Sequence, residues 1–228
     1  MLEAAESSAA QPAGSGEYWY QRTAVESTQS IPYEREVWRS AGRTVLRDEQ
    51  QAAFRAWEEG RAQVDPARVS TEEVRDEDGA TLGFGDGRSL TWDEVADLPT
   101  DVDELGRRLR AGLPDSGHGA AWDLWTQGIA LLQSSPAGPQ QRRALWQVMA
   151  QVPGVELVGA ATDGAGRAAT AVEADFTSQR LERYVVLLDP DTGQVLETRV
   201  HDADGELVYR ATVLEDGYRD EAPAVGAG

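Results

Sequence analysis

The chain contains no cysteine, no lysine and no asparagine, and only two of its 228 residues are histidine. Without cysteine it cannot build a disulfide framework, a thiolate nucleophile or a cysteine-based zinc or iron–sulfur site. Without lysine it has no P-loop lysine and no Schiff-base chemistry. His118 and His201 are too few for a metal site made of several imidazoles. We therefore expect no catalytic residues of these classes, no metal and no cofactor.

Long apolar runs are missing as well. No stretch of about 18 apolar residues is present that could cross a bilayer, and Met1–Ala10 lacks the basic and apolar regions of a signal peptide. Taken literally, these features predict a soluble, cytosolic chain.

The charge is strongly one-sided, since 21 arginines face 40 acidic residues and the formal net charge is -19. A field of that sign repels nucleic acid and anionic membrane surfaces, so neither is an expected partner. The hydrophobic content of 40% at this length is sufficient for one domain with its own core.

Turns and composition divide the chain into a flexible lead (1–16), a single folded domain (17–219) and a flexible tail (220–228). The first section of the domain, 17–92, is typical of strands: 18–28, then 33–39 after a break at Pro32, then 43–47. A short helix is predicted over 50–59, with Phe54 and Trp57 on one side. Turns are predicted at 76–79 and 85–87.

The middle section, 98–152, is helical. Thr100 and Asp103 resemble a capping box, and Gly112 would end the helix that follows. Further helices are predicted over 120–134 and from Pro139 to Val152.

The last section, 155–219, alternates like the strands of an antiparallel meander, in the runs 155–162, 167–176, 181–188, 194–201 and 206–214. Strands, then helices, then strands predict the α+β class.

Several sequence patterns resemble catalytic or ligand-binding motifs, and each of them can also be explained by an ordinary structural role. Residues 164–169 match a loose dinucleotide motif, but a strand follows where a helix is needed, which favours a hairpin turn. The turns at Asp189 and Asp202 miss the calcium-loop spacing. Ser116 with His118, and His201 beside Asp202, lack a positioning element for a triad. The arginines at 107, 108, 110, 142 and 143 could bind an acidic partner, or be solvated helix faces.

A set of segments in order resembles the extracytoplasmic part of an uncharacterised actinobacterial family of single-pass membrane proteins, often encoded near sigma-factor genes. The segments are Tyr18-Trp19-Tyr20, Leu98-Pro99-Thr100-Asp101 with Leu105 and Leu109, Arg143-Ala144-Leu145-Trp146 running to Val155, Asp163-Gly164-Ala165-Gly166-Arg167, and Leu188 to Leu196. The resemblance covers about Tyr18 to Leu214. It implies an extracytoplasmic domain anchored to the membrane in the full-length protein, with 1–16 as a juxtamembrane lead.

The element order is also similar to the lipoprotein-carrier (LolA-like) half-barrel, a curved antiparallel sheet with about three helices inserted between two groups of strands and packed on one face. That similarity implies a cavity between sheet and helices. Its candidate lining is Trp19, Trp122, Trp125, Ile129 and Val172, although Trp122 and Trp125 at helical spacing also fit an ordinary core.

The function expected from these features is a non-enzymatic extracytoplasmic binding or sensing domain that holds a lipid or other apolar ligand in envelope signalling. Two alternatives remain open. One is a protein–protein interaction module for a regulatory partner, which an exposed apolar patch would favour. The other is a hydrolase that uses two buried acids in one cleft with raised pKa values.

Overall fold

The computed structural model describes residues 15–75, 80–84, 88–113, 116–135, 137–179 and 181–226. Within these ranges, nine strands form one open antiparallel sheet in the order β4-β3-β2-β1-β11-β10-β9-β8-β7. Their bounds are β1 (Tyr18–Ser27), β2 (Ser30–Ser40), β3 (Arg43–Asp48), β4 (Thr71–Arg75), β7 (Val155–Thr162), β8 (Ala168–Asp175), β9 (Arg183–Leu188), β10 (Val195–His201) and β11 (Leu207–Arg219). A separate hairpin is formed by β5 (Ala80–Phe84) and β6 (Arg88–Thr91).

Five α-helices are described in these ranges: α1 (Gln50–Glu58), α2 (Trp92–Ala96), α3 (Val102–Ala111), α4 (Ala120–Ser134) and α5 (Pro139–Met149). They contact one face of the sheet. Gln21 of β1 donates from Nε2 to the Gln133 carbonyl of α4 over 2.9 Å, and Val25, four residues later on the same face, packs against Ala53 of α1. The α+β class is confirmed, with an α-helix between β3 and β4 in addition to the inserted group.

The main core lies between β8–β10 and helices α3 to α5. Trp125, Trp146 and Leu145 are fully buried there against Val172 and Val186 of the sheet. The indole N–H of Trp146 donates to the Gly193 carbonyl over 2.8 Å, so this large ring leaves no unpaired polar atom in the core. This core fixes the helices over the carboxyl-terminal half of the sheet.

The opposite face of the sheet carries a buried polar cluster, which we call the back-face network: Asp163, Arg167, Glu197, Arg199 and Thr212. The β7–β8 turn folds over this face, so that the Gly164 N–H donates to Glu197 Oε2 over 2.6 Å. Thr212 Oγ1 donates to the same oxygen over 2.7 Å, and Arg199 Nε donates to Oε1 over 2.5 Å. The carboxylate is fully buried but satisfied, and it connects β10, β11 and the β7–β8 turn.

Several local predictions are confirmed and others need correction. α1, α4 and the start of α5 lie where the pattern places them. The cap of α3 is Asp101, whose carboxylate accepts from the Glu104 N–H over 2.9 Å, so the predicted Thr100–Asp103 box is wrong. A capping box does occur ten residues earlier, between Thr91 and Glu94, at the start of the unpredicted helix α2.

Pro32 lies inside β2 rather than breaking it. The strand β3 pairs only with residues 35 to 40 of β2, so at Pro32 no neighbour on that side needs a backbone N–H. The strand β11 continues to Arg219, five residues beyond the predicted run, because it pairs with β1 along that length. The predicted turns at 76–79 and 85–87 lie outside the described residues.

Candidate functional site

A cleft of about 580 Å³ opens between α1 and the end of the sheet where β1 turns into β2. It is lined by side chains from the β1–β2 turn, from α1 and from the start of β11. These are Ser27, Gln29, Ser30, Tyr33, Gln50, Gln51, Phe54, Arg55 and Tyr209. Its volume is within the range of roughly 300–1,000 Å³ that is typical of ligand sites.

The position of α1 follows from three small residues on one side of the helix. Ala52, Ala53 and Ala56 are all buried, which lets the helix lie close to the sheet. The larger Phe54 and Trp57 are consequently turned outward, where they remain 43% and 49% exposed. Their ring centroids are 6.0 Å apart, so they form one exposed aromatic pair at the rim of the cleft.

Among the described residues, no carboxylate lines the cleft, although the chain has 40 acidic residues. The charged side chain among those lining residues is Arg55. The nearby Asp48 is turned to Arg35, whose Nε and Nη2 lie 2.8 and 2.6 Å from the Asp48 Oδ2 atom. The lining is thus neutral to positive in a strongly acidic protein, which suits an uncharged or acidic occupant.

Polar groups in the cleft are available for hydrogen bonds. The Ser30 hydroxyl is buried and has no partner among the described residues. Burial raises the pKa of Tyr33 to about 12, despite the opposing charge of Arg35, and burial also raises the pKa of Tyr209. Both phenols therefore stay protonated at physiological pH and can donate.

The five residues predicted to line a ligand cavity are placed in three different surroundings. Trp125, Ile129 and Val172 are buried together in the main core. Trp122 is half-buried at the edge of that core, where its ring lies 4.8 Å from that of His118. Trp19 is buried against Tyr218 of β11, outside that core. A ligand cavity lined by these five residues stays a prediction.

Ser116 and His118 do not form a triad in the structure. The Ser116 hydroxyl donates to the buried Asp123 carboxylate, and it accepts from the backbone N–H of His118, not from its ring. A Ser–His–Asp triad needs an imidazole nitrogen that accepts from the serine hydroxyl, and His118 does not supply it here.

The acid pair needed by a hydrolase is not assembled in the described part of the chain. Burial raises the pKa of Asp216, against the charge of Arg142. The other buried acids are held by donors: Glu197 and Asp163 in the back-face network and Asp123 by Ser116. Among the described residues, no three histidine or acidic side chains cluster to hold a metal ion.

The dinucleotide-like motif and the aspartate-rich turns of the sequence stabilise tight turns between strands. Residues 163–167 form the β7–β8 turn, as the hairpin interpretation predicts. The Asp189 carboxylate accepts from the N–H groups of Asp191 and Thr192, and that of Asp202 accepts from Asp204 and Glu206. These carboxylates stabilise their own turns.

The sequence does not predict the cleft beside α1, because the walls of the cleft come from segments that are distant in the chain. One signal was present: three alanines on one side of a helix with two aromatics on the other. That pattern indicates a helix that packs closely and exposes its aromatic residues.

Solved structures that are weakly similar to this chain include two MucA–MucB complexes and a LolA-superfamily protein. The chain is similar to MucB in a complex with MucA(peri), at 16% identity and a TM-score of 0.43, over 92% of this chain and 54% of that one. A Pseudomonas aeruginosa MucA/MucB complex gives 16% identity and 0.40, over 96% and 56%. A LolA-superfamily protein from Nitrosomonas europaea gives 7% and 0.27, over 96% and 93%.

The chain spans a little over half the length of the MucB chains in these two complexes. Identities and TM-scores at this level are too low for a function to be transferred. Comparison with protein-family models gives no match, and comparison with curated proteins gives none either. None of the described helices is both long and apolar enough to span a membrane.

Proposed function

We propose that this chain is a non-enzymatic binding domain that holds a polypeptide segment of a regulatory partner in the cleft beside α1. The observation that supports the proposal is the exposed Phe54–Trp57 pair at the rim of an open cleft of about 580 Å³. Exposed aromatic residues next to a concave surface are typical of protein interfaces, where they supply most of the binding energy.

The chemistry of the lining suits an extended peptide that is neutral or acidic. The hydroxyls of Ser30, Tyr33 and Tyr209 and the amides of the glutamines can bind peptide N–H and C=O groups. Arg55 can bind an acidic side chain. A basic peptide would meet no carboxylate in the lining. An extracytoplasmic location, an anchor in the full-length protein and a role in envelope signalling belong to this proposal and come from the family resemblance.

Selection from a peptide library tests the proposal. We expect peptides selected on the wild-type protein to be neutral or acidic. We expect Phe54→Ala with Trp57→Ala to weaken their binding by at least about tenfold, measured by calorimetric titration. The matched control is the double variant Leu157→Ala with Val158→Ala on the edge strand β7. The two side chains are 55% and 63% exposed, and β7 lies several strands away from β1 and β2 at the cleft.

Equal loss in both double variants, or no loss in the α1 variant, would contradict the proposal. Failure to select any peptide would contradict it too. Circular dichroism of both variants checks that the fold is kept, which is expected because all four side chains are surface groups.

The function expected from the sequence is different: a lipid or other apolar ligand held between the sheet and the helices, in a cavity lined by Trp19, Trp122, Trp125, Ile129 and Val172. Three of these side chains pack in one buried core, so a lipid would have to separate the helices from the sheet. Native mass spectrometry after exposure to an envelope lipid extract tests it. An adduct of discrete mass that is lost on denaturation would favour the lipid.

A further inference from the structure

Four side chains form a row across the helix-bearing face, at the end of the sheet away from the cleft. Thr44 of β3, Arg39 of β2, Trp19 of β1 and Tyr218 of β11 are successive cross-strand partners. The rings of Trp19 and Tyr218 meet edge to face, with centroids 5.3 Å apart. The row thus places Arg39 next to the aromatic pair on the same face of the sheet.

Two hydrogen-bond donors in this row are buried and unsatisfied. Arg39 Nη1 and Trp19 Nε1 have no partner among the described residues. Buried polar groups in proteins nearly always have a partner, and a buried cation without one is especially unfavourable. These two donors belong to directly opposed residues on neighbouring strands.

Arg39 differs in this respect from the other arginines of β2 and β3. Arg35 is paired with Asp48, Arg43 with Glu73 and Arg47 with Glu36. Burial, with the like charge of Arg35 as a second cause, lowers the pKa of Arg39 to about 10. No carboxylate among the described residues is paired with Arg39, a half-buried residue whose Nη1 atom is fully buried.

We propose that Arg39 and Trp19 form a binding site for an oxyanion, a carboxylate or a phosphate. The guanidinium supplies charge and a donor, the indole N–H supplies a second donor, and the aromatic pair supplies an apolar wall. The source of the oxyanion is either a free anion or the acidic head of an amphiphile whose chain lies along that wall. None of the four residues lines the cleft beside α1, so this site and the proposed peptide site are tested separately.

Thermal unfolding with defined probes tests the site. The probes are sodium phosphate, sodium acetate, sodium dodecanoate and dodecyl phosphate, the last two below their micellar concentrations, with uncharged dodecyl maltoside as the neutral probe. Sodium chloride at the same ionic strength is the control for the general effect of salt on the Tm. A probe that occupies the site at about a hundred times its Kd should raise the Tm by about 5 °C or more.

The variants are Arg39→Gln and Trp19→Phe, with Arg22→Gln as the matched control. Arg22 lies on the neighbouring strand but on the opposite face, where it faces Glu34 at 3.9 Å and is 39% exposed. We expect Arg39→Gln to abolish the rise in Tm, Trp19→Phe to reduce it, and Arg22→Gln to leave it unchanged. Without any probe, Arg39→Gln should melt at the same temperature as the wild type or above it, because it removes an unpaired buried charge.

The pattern of probes identifies the source of the oxyanion. A rise with phosphate or acetate assigns a free anion, whereas a rise confined to dodecanoate or dodecyl phosphate assigns the head of an amphiphile. A rise with the maltoside that equals that of the acidic probes would overturn the proposal. So would a rise that persists in Arg39→Gln, no rise with any probe, or a lower melting temperature of the probe-free Arg39→Gln protein.

Discussion

Asp163 closes the β7–β8 turn and is one of the two buried carboxylates of the back-face network. Its Oδ1 atom accepts from the N–H groups of Ala165 and Arg167 over 3.0 and 2.8 Å. Its Oδ2 atom accepts from Arg167 Nε over 2.7 Å. Burial alone would raise the pKa of Asp163, but the hydrogen bonds and charge of Arg167 outweigh it and the pKa is lowered.

The substitution Asp163→Asn tests this interaction. The amide oxygen can still accept from the two backbone N–H groups, so the turn should persist, while the ion pair with Arg167 is lost. We expect the free energy of unfolding at pH 7 to fall by about 1–2 kcal/mol, a moderate value because Arg167 is 37% exposed and partly screened. Urea unfolding measures it.

The same pair makes a prediction about pH. A carboxyl group whose folded pKa lies below its unfolded value of about 3.9 stabilises the fold above that value. The contribution is lost as the pH falls through the folded pKa. The difference in unfolding free energy between wild type and Asp163→Asn should therefore be complete at pH 7 and shrink below about pH 4. A difference that is the same at pH 7 and pH 3 would contradict the assigned ion pair.

The burial of Glu197 cannot be predicted from the alternation of residues along its strand. As a polar residue in an alternating strand it predicts a solvated position, yet it is fully buried. It is covered because the β7–β8 turn folds back over β10 and β11. A Cβ at Gly164 would lie 2.7 Å from Glu197 Oε2, so this approach requires glycine there. Such a contact between distant segments cannot be predicted from local alternation.

At the scale of the element, the crossing of α4 and α5 depends on a second glycine. A Cβ at Gly128 would lie 2.3 Å from the sulfur of Met149, which is itself fully buried. Alanine at this position gains about 0.5–1 kcal/mol of helix propensity, but overpacking a core costs roughly 1–3 kcal/mol. We expect Gly128→Ala to lower the free energy of unfolding by about 1 kcal/mol, measured in urea.

Gly106 of α3 is the matched control. Its nearest neighbour for an added Cβ is Arg110 Nη1 at 2.7 Å, the far end of an exposed, flexible side chain. Gly106→Ala should therefore stabilise the protein by about 0.5–1 kcal/mol. Combining Gly128→Ala with Met149→Ala should relieve the clash and give a favourable coupling of about 1 kcal/mol. If the effects of Gly128→Ala and Met149→Ala on the free energy of unfolding were additive, the cost of Gly128→Ala would not come from a clash with Met149.

The accuracy of prediction also differs between elements for physical reasons. The helix at 120–134, the start of the helix at Pro139 and the strands from 155 to 201 are predicted within one or two residues, because their periodicity and turn residues are local. The end of α5 is not, since the helix stops at Met149 and not at Val152. The cap at Asp101 is displaced by one residue from the predicted Thr100, since both side chains can cap. Helix α2 escapes prediction because five residues are too few to show a period.

At the scale of the whole molecule, the strands at the centre of the sheet cannot be identified from their order in the sequence. The first and last strands, β1 and β11, are neighbours and join the two groups of strands. Pairing between residues about 190 apart leaves no local pattern, so the order of the strands could not be predicted. The same long-range packing places α1 beside a cleft and Arg39 opposite Trp19. Neither of the two proposed sites could therefore be predicted from the sequence.

The formal net charge of -19 acts on the molecule as a whole. Excess charge of one sign destabilises a compact state through self-repulsion, whereas exposed ion pairs such as Arg61–Glu59 contribute at most about 1 kcal/mol each. Repulsion should therefore outweigh the pairs. Raising sodium chloride from low concentration to about 0.5 M, where the Debye length is only a few ångströms, should raise the Tm.

Repeating the salt titration near pH 4.4 provides the control. At the isoelectric point of the sequence the net charge is close to zero, so the repulsive part vanishes while many ion pairs remain. The rise in Tm with salt should shrink or change sign there. A Tm that falls with salt at pH 7 would show instead that the arginine–carboxylate pairs on the sheet outweigh the repulsion, and that the acidic surface is stabilised by its arginines collectively.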